Sequence, residues 1–148
     1  MRLVIGSDHA GWSLKEAVLQ HIRGLGHEII DVGSFDQNPV DFPDIARQVA
    51  AKVTSGEAER GIMVCGTGVG ASIAANKMKG IRAAVCHDIH SAHQCVEHDD
   101  VNVMCIGAQI IGPWLANDLI SSYLTAEFST DEDVRRRVAK LHEMDAEA

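Results

Sequence analysis

The chain has 148 residues, the size of one ordinary domain and enough to bury a real core. Hydrophobic residues make up 46% and charged residues 23%, a globular composition that excludes a disordered chain. Thirteen basic residues against 21 acidic ones leave a net charge of −8, which disfavours a nucleic-acid surface or an anionic membrane as partner. A small anionic substrate is still compatible with it, because a site can be locally positive.

From the N-terminus, Met1–Gly6 is too short an apolar run for a signal peptide, and Asp8 interrupts it. No later stretch approaches a membrane span. The four cysteines, Cys65, Cys86, Cys95 and Cys105, are widely spaced and form no C-x-x-C pair, so free thiols in a reducing cytoplasm are expected. The first predicted element is a buried strand over Leu3–Gly6. It runs into Ser7-Asp8-His9-Ala10-Gly11. An Asp–His pair at a strand end can open a sugar ring by moving protons between O5 and O1. Alternatively, Ser7 or Asp8 simply caps the next helix. That helix is predicted over Trp12–Leu25, with Leu14, Ala17, Val18 and Ile22 along one stripe. A second strand follows at His27–Val32, then a helix at Pro43–Val53 carrying Ile45, Ala46, Val49 and Val53 on one face.

The third strand, Gly61–Cys65, leads into Cys65-Gly66-Thr67-Gly68-Val69-Gly70 and a helix at Ala71–Met78. Glycines let backbone approach a ligand, and a helix N-terminus offers unpaired N–H groups with partial positive charge. A phosphate, carboxylate or enediolate fits there. A tight turn without a ligand is the plainer reading. Dinucleotide binding is a rival, since Asp88 lies near the distance of a ribose-binding acid. However, the loop follows the third strand, and no sequence remains for a second domain. No Gly-Lys-Ser/Thr follows, so the loop is not a P-loop. Cys65 stands where loop amides and the helix dipole favour a thiolate, which can act as base on a C–H next to a carbonyl. A small core residue is the alternative role for such a cysteine.

A fourth strand is predicted at Ala83–Cys86 and a helix at Ile89–Glu97. His87, His90 and His93 recur every third residue, but on a helix they fan apart and converge poorly on one ion, so no metal site is expected. Glu97–Asn102 has the composition of a solvated turn, and His98 is a catalytic candidate only if it faces this chain's crevice or a partner's. The last strand is Val103–Ile106, followed by helices at Trp114–Leu124 and Asp131–His142. The tail 131–148 is charged. Its Arg135-Arg136-Arg137 run is either a solvated face or the positive charge for a phosphate. Alternating strands and helices, with continuously apolar strands, predict an α/β domain whose parallel sheet is covered on both faces. Sites in such sheets form beyond the carboxyl ends of the strands.

Several segments together carry a family resemblance. They are Ile5–Gly11, Asp41-Phe42-Pro43, Cys65–Gly70, Ile73–Lys77, Gly80–Ala83, and His98 with Asn102-Val103. From Met1 to about His142 the chain resembles type B ribose-5-phosphate isomerases and the related galactose-6-phosphate isomerase subunits. The resemblance implies a single Rossmann-like three-layer domain over residues 1–148 with a five-stranded parallel sheet. It also implies a homodimer, or a dimer of dimers, whose sites draw on two subunits. The charged C-terminal helix, by its composition, packs either on its own subunit or on a neighbouring one. The implied chemistry is aldose–ketose isomerisation through a cis-enediolate without metal or nucleotide cofactor. Its default substrate pair is ribose 5-phosphate and ribulose 5-phosphate, in the cytoplasmic pentose phosphate pathway. In that scheme Cys65 is the base between C2 and C1. Thr67 and the loop from Gly66 through Gly68, Val69 and Gly70 hold the enediolate. Asp8, His9 and His98 bind the substrate or open its ring, Phe42 and Asp99 line it, and Arg137 holds the phosphate.

Four positions depart from the family pattern. Phe42 stands in place of a tyrosine, Asp99 in place of an asparagine, and Gln109 and Asp133 in place of phosphate-binding arginines. Each phosphate–arginine pair is charge-assisted and often bidentate, so losing two weakens a sugar-phosphate site unless Arg135 or Arg136 substitutes. Glu127–Glu132 looks more like the galactose-6-phosphate type. Two further readings therefore stand beside the default. One is an isomerase for another sugar, such as a tetrose, a hexose or an unphosphorylated sugar. The other is a non-catalytic anion- or nucleotide-binding protein.

Overall fold

Each apolar run expected to form a strand does so in the computed structural model, which describes all residues from Met1 to Ala148. In chain order the elements are β1 (Arg2–Ser7), α1 (Trp12–Gly24), β2 (Glu28–Asp31), α2 (Phe42–Thr54), β3 (Arg60–Cys65), α3 (Val69–Asn76), β4 (Ala83–Val85), α4 (Ile89–Asp99), β5 (Val103–Gly107), α5 (Pro113–Thr125) and α6 (Glu132–Glu147). The helices start at recognisable signals. Pro43 and Pro113 occupy the first turns of α2 and α5, where a missing N–H costs nothing. The Asp88 and Asp131 carboxylates accept from the Ser91 and Val134 amides and cap α4 and α6.

All strand pairs are parallel, in the order β2-β1-β3-β5-β4. Right-handed crossovers then place α1, α4 and α5 on one face and α2 and α3 on the other. The strands alternate between two cores accordingly. Leu3, Ile5, Ile62, Val64, Met104 and Ile106 face the α1/α4/α5 core. Val4, Met63, Cys65, Val103 and Cys105 face the α2/α3 core. The alternation aims the Cys65 side chain toward α3. It also leaves β1 and β3 as neighbours whose helices leave on opposite faces, the switch point at which such sheets open a crevice.

The helix α1 departs from its expected stripe. Leu19 is buried, and so is Lys15 at 5% exposure. The Lys15 ammonium lies 2.7 Å from Asp31 Oδ1, donates to the Ser34 carbonyl, and sits 4.9 Å from the Phe35 ring centroid. Asp31 Oδ1 also accepts from the Gly33 amide at 2.9 Å. A lysine inside a helical pattern gives no sign of burial. Only the arrival of Asp31 from β2 makes it possible. Lys15→Met would strand the Asp31 carboxylate, which is 21% accessible, and the Ser34 carbonyl. It should cost about 2–3 kcal/mol of stability, somewhat below the range for fully buried pairs. A urea titration checks this, and an unmoved midpoint would show that the pair contributes nothing.

The last helix, α6, lies against its own chain. Val138 is 2% exposed, the Ser129 amide donates to the Glu97 carbonyl, and the Gly80 amide donates to Asp145 Oδ2. Leu141 and Met144 remain exposed. No helix is long and apolar enough to cross a membrane.

Candidate active site

The carboxyl ends of β1, β3 and β5 meet at one rim of the sheet. Cys65 ends β3 with 6% exposure, and its Sγ accepts from the Gly68 amide at 2.9 Å. Gly68 adopts φ +83°, which only glycine takes without strain, and so turns the chain from strand into α3. The Val69 amide donates to Thr67 Oγ1 at 3.3 Å, so the Thr67 hydroxyl proton is left to donate elsewhere. The amides of Gly66, Thr67, Gly70 and Ala71 have no acceptor within the chain. Unpaired N–H groups at a helix N-terminus form an anion-binding concavity. Ala71 is the member that the glycine pattern did not single out. It qualifies by its place in the first turn of α3.

Asp8 and His9 reach the same rim from β1. Asp8 is 8% exposed, and its Oδ1 accepts from the Gly11 amide at 2.9 Å. This bond closes the turn before α1, and α1 itself takes no side-chain cap. His9 is exposed, and its Nδ1 accepts from the Val40 amide at 3.2 Å. The proton is thereby assigned to Nε2, which is left as a donor. Phe42, in the first turn of α2, packs its ring on Gly70, where an added Cβ would lie 2.9 Å from the ring. Gln109, in the turn after β5, lays its carboxamide over Gly66, 3.2 Å from where a Cβ would stand. The structure thus brings Asp8, His9, Phe42, Cys65, Gly66, Thr67, Gly68, Val69 and Gly70 to one rim of the sheet.

It does not bring His98, Asp99 or Arg137 there. The helix α4 runs against the strand direction, so His98 and Asp99 sit near the start of β5. That is the opposite rim, about 16 Å away along five residues of strand. The helix α6 lies along this second rim, between Glu97 and Gly80. Asp99 helps line a cleft of about 540 Å³ there with Arg82, Leu141 and Met144. Of the three successive arginines, Arg135 stacks on Phe128 at 4.7 Å and donates to the Ser129 carbonyl. Arg136 pairs with Asp133 at 2.6 Å. Arg137 has neither partner and is exposed.

The three spaced histidines separate. His87, before α4 begins, turns its ring to the Gly107 amide at 2.9 Å. His93 pairs with Glu97 on the exposed face, and His90 is exposed.

The sequence matches the family described as Ribose/Galactose Isomerase over residues 3–141. It is 42% identical over 127 residues to ribose-5-phosphate isomerase B of Escherichia coli (strain K12), covering 86% of this chain and 85% of that one. The solved structure of Clostridium thermocellum ribose-5-phosphate isomerase B superposes with a TM-score of 0.96 at 43% identity, over 99% of each chain. Relatives named for other substrates are nearly as similar. A D-erythrulose-4-phosphate isomerase of Pectobacterium atrosepticum is 40% identical over 86% of this chain and 85% of its own. A 4-deoxy-4-sulfo-D-erythrose isomerase of a Clostridium species is 38% identical over 95% and 89%. A galactose-6-phosphate isomerase subunit LacB of Clostridium acetobutylicum is 35% identical over 97% and 83%.

Proposed function

Because the chain belongs to the Ribose/Galactose Isomerase family, we propose that it interconverts the aldose and ketose forms of a small sugar phosphate, with Cys65 moving a proton between C2 and C1. The observation that carries this reading is the Cys65 sulfur at a strand end, facing the Gly68 amide beside four amides without acceptors. Removal of the C2 proton leaves a cis-enediolate whose negative charge needs fixed donors. The Gly66, Thr67, Gly70 and Ala71 amides and the Thr67 hydroxyl supply them. Asp8 and His9 bind the substrate and open its ring, with His9 Nε2–H as donor. No step requires a metal or a nucleotide.

His98, Asp99 and Arg137 join this site from a second copy of the chain in a homodimer or dimer of dimers. Their shared position on the rim opposite Cys65 supports such an exchange. A cytoplasmic setting and a pentose phosphate role belong to the same proposal.

The default substrate is ribose 5-phosphate, in equilibrium with ribulose 5-phosphate. A second reading, a shorter or differently charged sugar, has support of its own. Arg135 and Arg136 already have partners within α6 and its approach, which compete with any role in replacing the cations absent at Gln109 and Asp133. That leaves Arg137 as the one unpaired cation of the run. A panel of tetroses, pentoses and hexoses, free, phosphorylated and sulfonated, decides between the readings by kcat/KM. A tetrose or sulfonate preferred at least tenfold would establish the second reading, a factor worth about 1.4 kcal/mol of differential binding. Preference for ribose 5-phosphate would remove it. Binding of anions with no turnover on any sugar would leave the non-catalytic alternative.

A further inference from the structure

Gly107 ends β5 directly opposite Cys65 in the β3–β5 register. It also supports the catalytic loop from below. A Cβ there would stand 2.6 Å from Thr67 Cα and 2.7 Å from the Gly66 carbonyl oxygen. The next two amides, Ala108 and Gln109, donate to the Cys65 and Gly66 carbonyls at 2.8 and 3.0 Å. The Gly107 N–H itself is directed toward β4, where the ladder has run out. Beyond Val85, the last backbone rung is the Cys86 amide to the Cys105 carbonyl at 3.2 Å. A buried N–H requires an acceptor, and the His87 ring provides it through Nε2 at 2.9 Å. An imidazole thus supplies the rung that the edge strand's backbone does not.

We propose that His87 is a positioning residue for isomerisation, holding the end of β5, and through Gly107 the Cys65 loop, in the register that aligns the loop amides. An amide can only donate, so Nε2 is unprotonated and the ring is neutral with its proton on Nδ1. Burial holds this imidazole below its ordinary 6.5, against a smaller opposite pull from Asp88. Asp88 is committed to the Ser91 amide, and His90 is the other titratable neighbour on the same segment. The strand β5, the turn 107–112 and the first turn of α5 present no ionisable side chain except the fully buried Cys105 thiol. Cys65 stands one strand further on. The folded chain therefore binds the His87 proton less readily than the unfolded chain does. The stability from this group is complete above the unfolded pKa of about 6.5 and is lost as the pH falls through the lower folded value.

The inference rests on the Cys65 loop being the reacting site, so the test has one readout that does not use activity. His87→Leu removes the acceptor, whereas His87→Gln offers Oε1 as an acceptor that does not titrate. The first measurement is amide hydrogen exchange at Gly107. Leucine should lower protection about tenfold or more, the size of one lost buried hydrogen bond, and glutamine should keep it. In turnover, leucine should lower kcat by a similar factor with KM little changed. Glutamine should recover it and flatten the acid limb of the pH profile. If the leucine variant does not fold, the comparison of wild type with glutamine decides. Below pH 6, intrinsic-rate-corrected protection of Gly107 should fall in wild type only. A folded leucine variant with unchanged exchange and kcat, or a glutamine variant that loses protection as the leucine variant does, would overturn the proposal. If a Cys65 variant retains full turnover, the isomerase reading fails, while the exchange at Gly107 still reports on His87.

Discussion

Replacing Cys65 by alanine or serine should lower kcat by about 10²- to 10⁴-fold, the usual contribution of a positioned acid–base group. The sulfur ends β3 with 6% exposure, and its contact is the Gly68 amide at the mouth of the loop. Either replacement removes the proposed base and leaves the loop amides in place. Serine keeps the size of the side chain, so cavity effects in the α2/α3 core are separated from chemistry. Exchange of the substrate's C2 hydrogen with deuterated solvent is the decisive readout, because it reports formation of the enediolate even when net conversion is slow. Undiminished exchange in both variants would remove Cys65 as the base. The same protein tests the shared site. His98→Ala should also be inactive, and mixing it with Cys65→Ala under exchange of subunits should restore part of the activity. Mixed dimers then carry one site with both residues intact. No recovery in dimers shown to have exchanged would place His98 outside the site.

Gly11→Ala should cost about 3 kcal/mol or more and, in any folded fraction, roughly 10²-fold in rate. An added Cβ would lie 2.0 Å from the Val64 carbonyl oxygen and 2.7 Å from the Cys65 nitrogen. These are backbone atoms in the middle of the sheet, so no rotamer change relieves the overlap. The turn carrying Asp8 and His9 must move away from β3 and take the Asp8–Gly11 bond with it. Binding and proton transfer would then be separated by displacement alone, with every site residue still present. Urea unfolding and steady-state kinetics check both parts. A variant with the midpoint and rate of wild type would show that the turn yields freely.

The crevice half of the site was legible because its residues follow strand ends in sequence. Asp8, His9 and Cys65–Gly70 are each carried to the carboxyl rim by the strand before them. The residues proposed to complete the site from a second copy were not placed by motif. His98 and Asp99 form the last turn of α4, two residues past the expected end of that helix, and only the direction of α4 against the sheet puts them at the far rim. His87 was grouped by spacing with His90 and His93, yet it precedes the helix and belongs to Gly107. Helix α6 runs to Glu147, five residues past its expected end at His142, since nothing between them breaks a helix.

The local sequence determined the elements. Continuous apolar runs buried on both faces, glycines at turns, and prolines or aspartates at helix starts act within a few residues and do not depend on distant segments. The tertiary structure decided the rest. Parallel strands meet only after long crossovers, so no short-range signal specifies their order. The order β2-β1-β3-β5-β4 sets β1 beside β3 and β5 beside β4. From that order follow the Gly11 contact with Val64, the Asp31 carboxylate over Lys15, and the His87 ring under the loop. Each joins groups distant in sequence, and each exists only because a buried polar or crowded backbone atom had to be matched when the sheet closed.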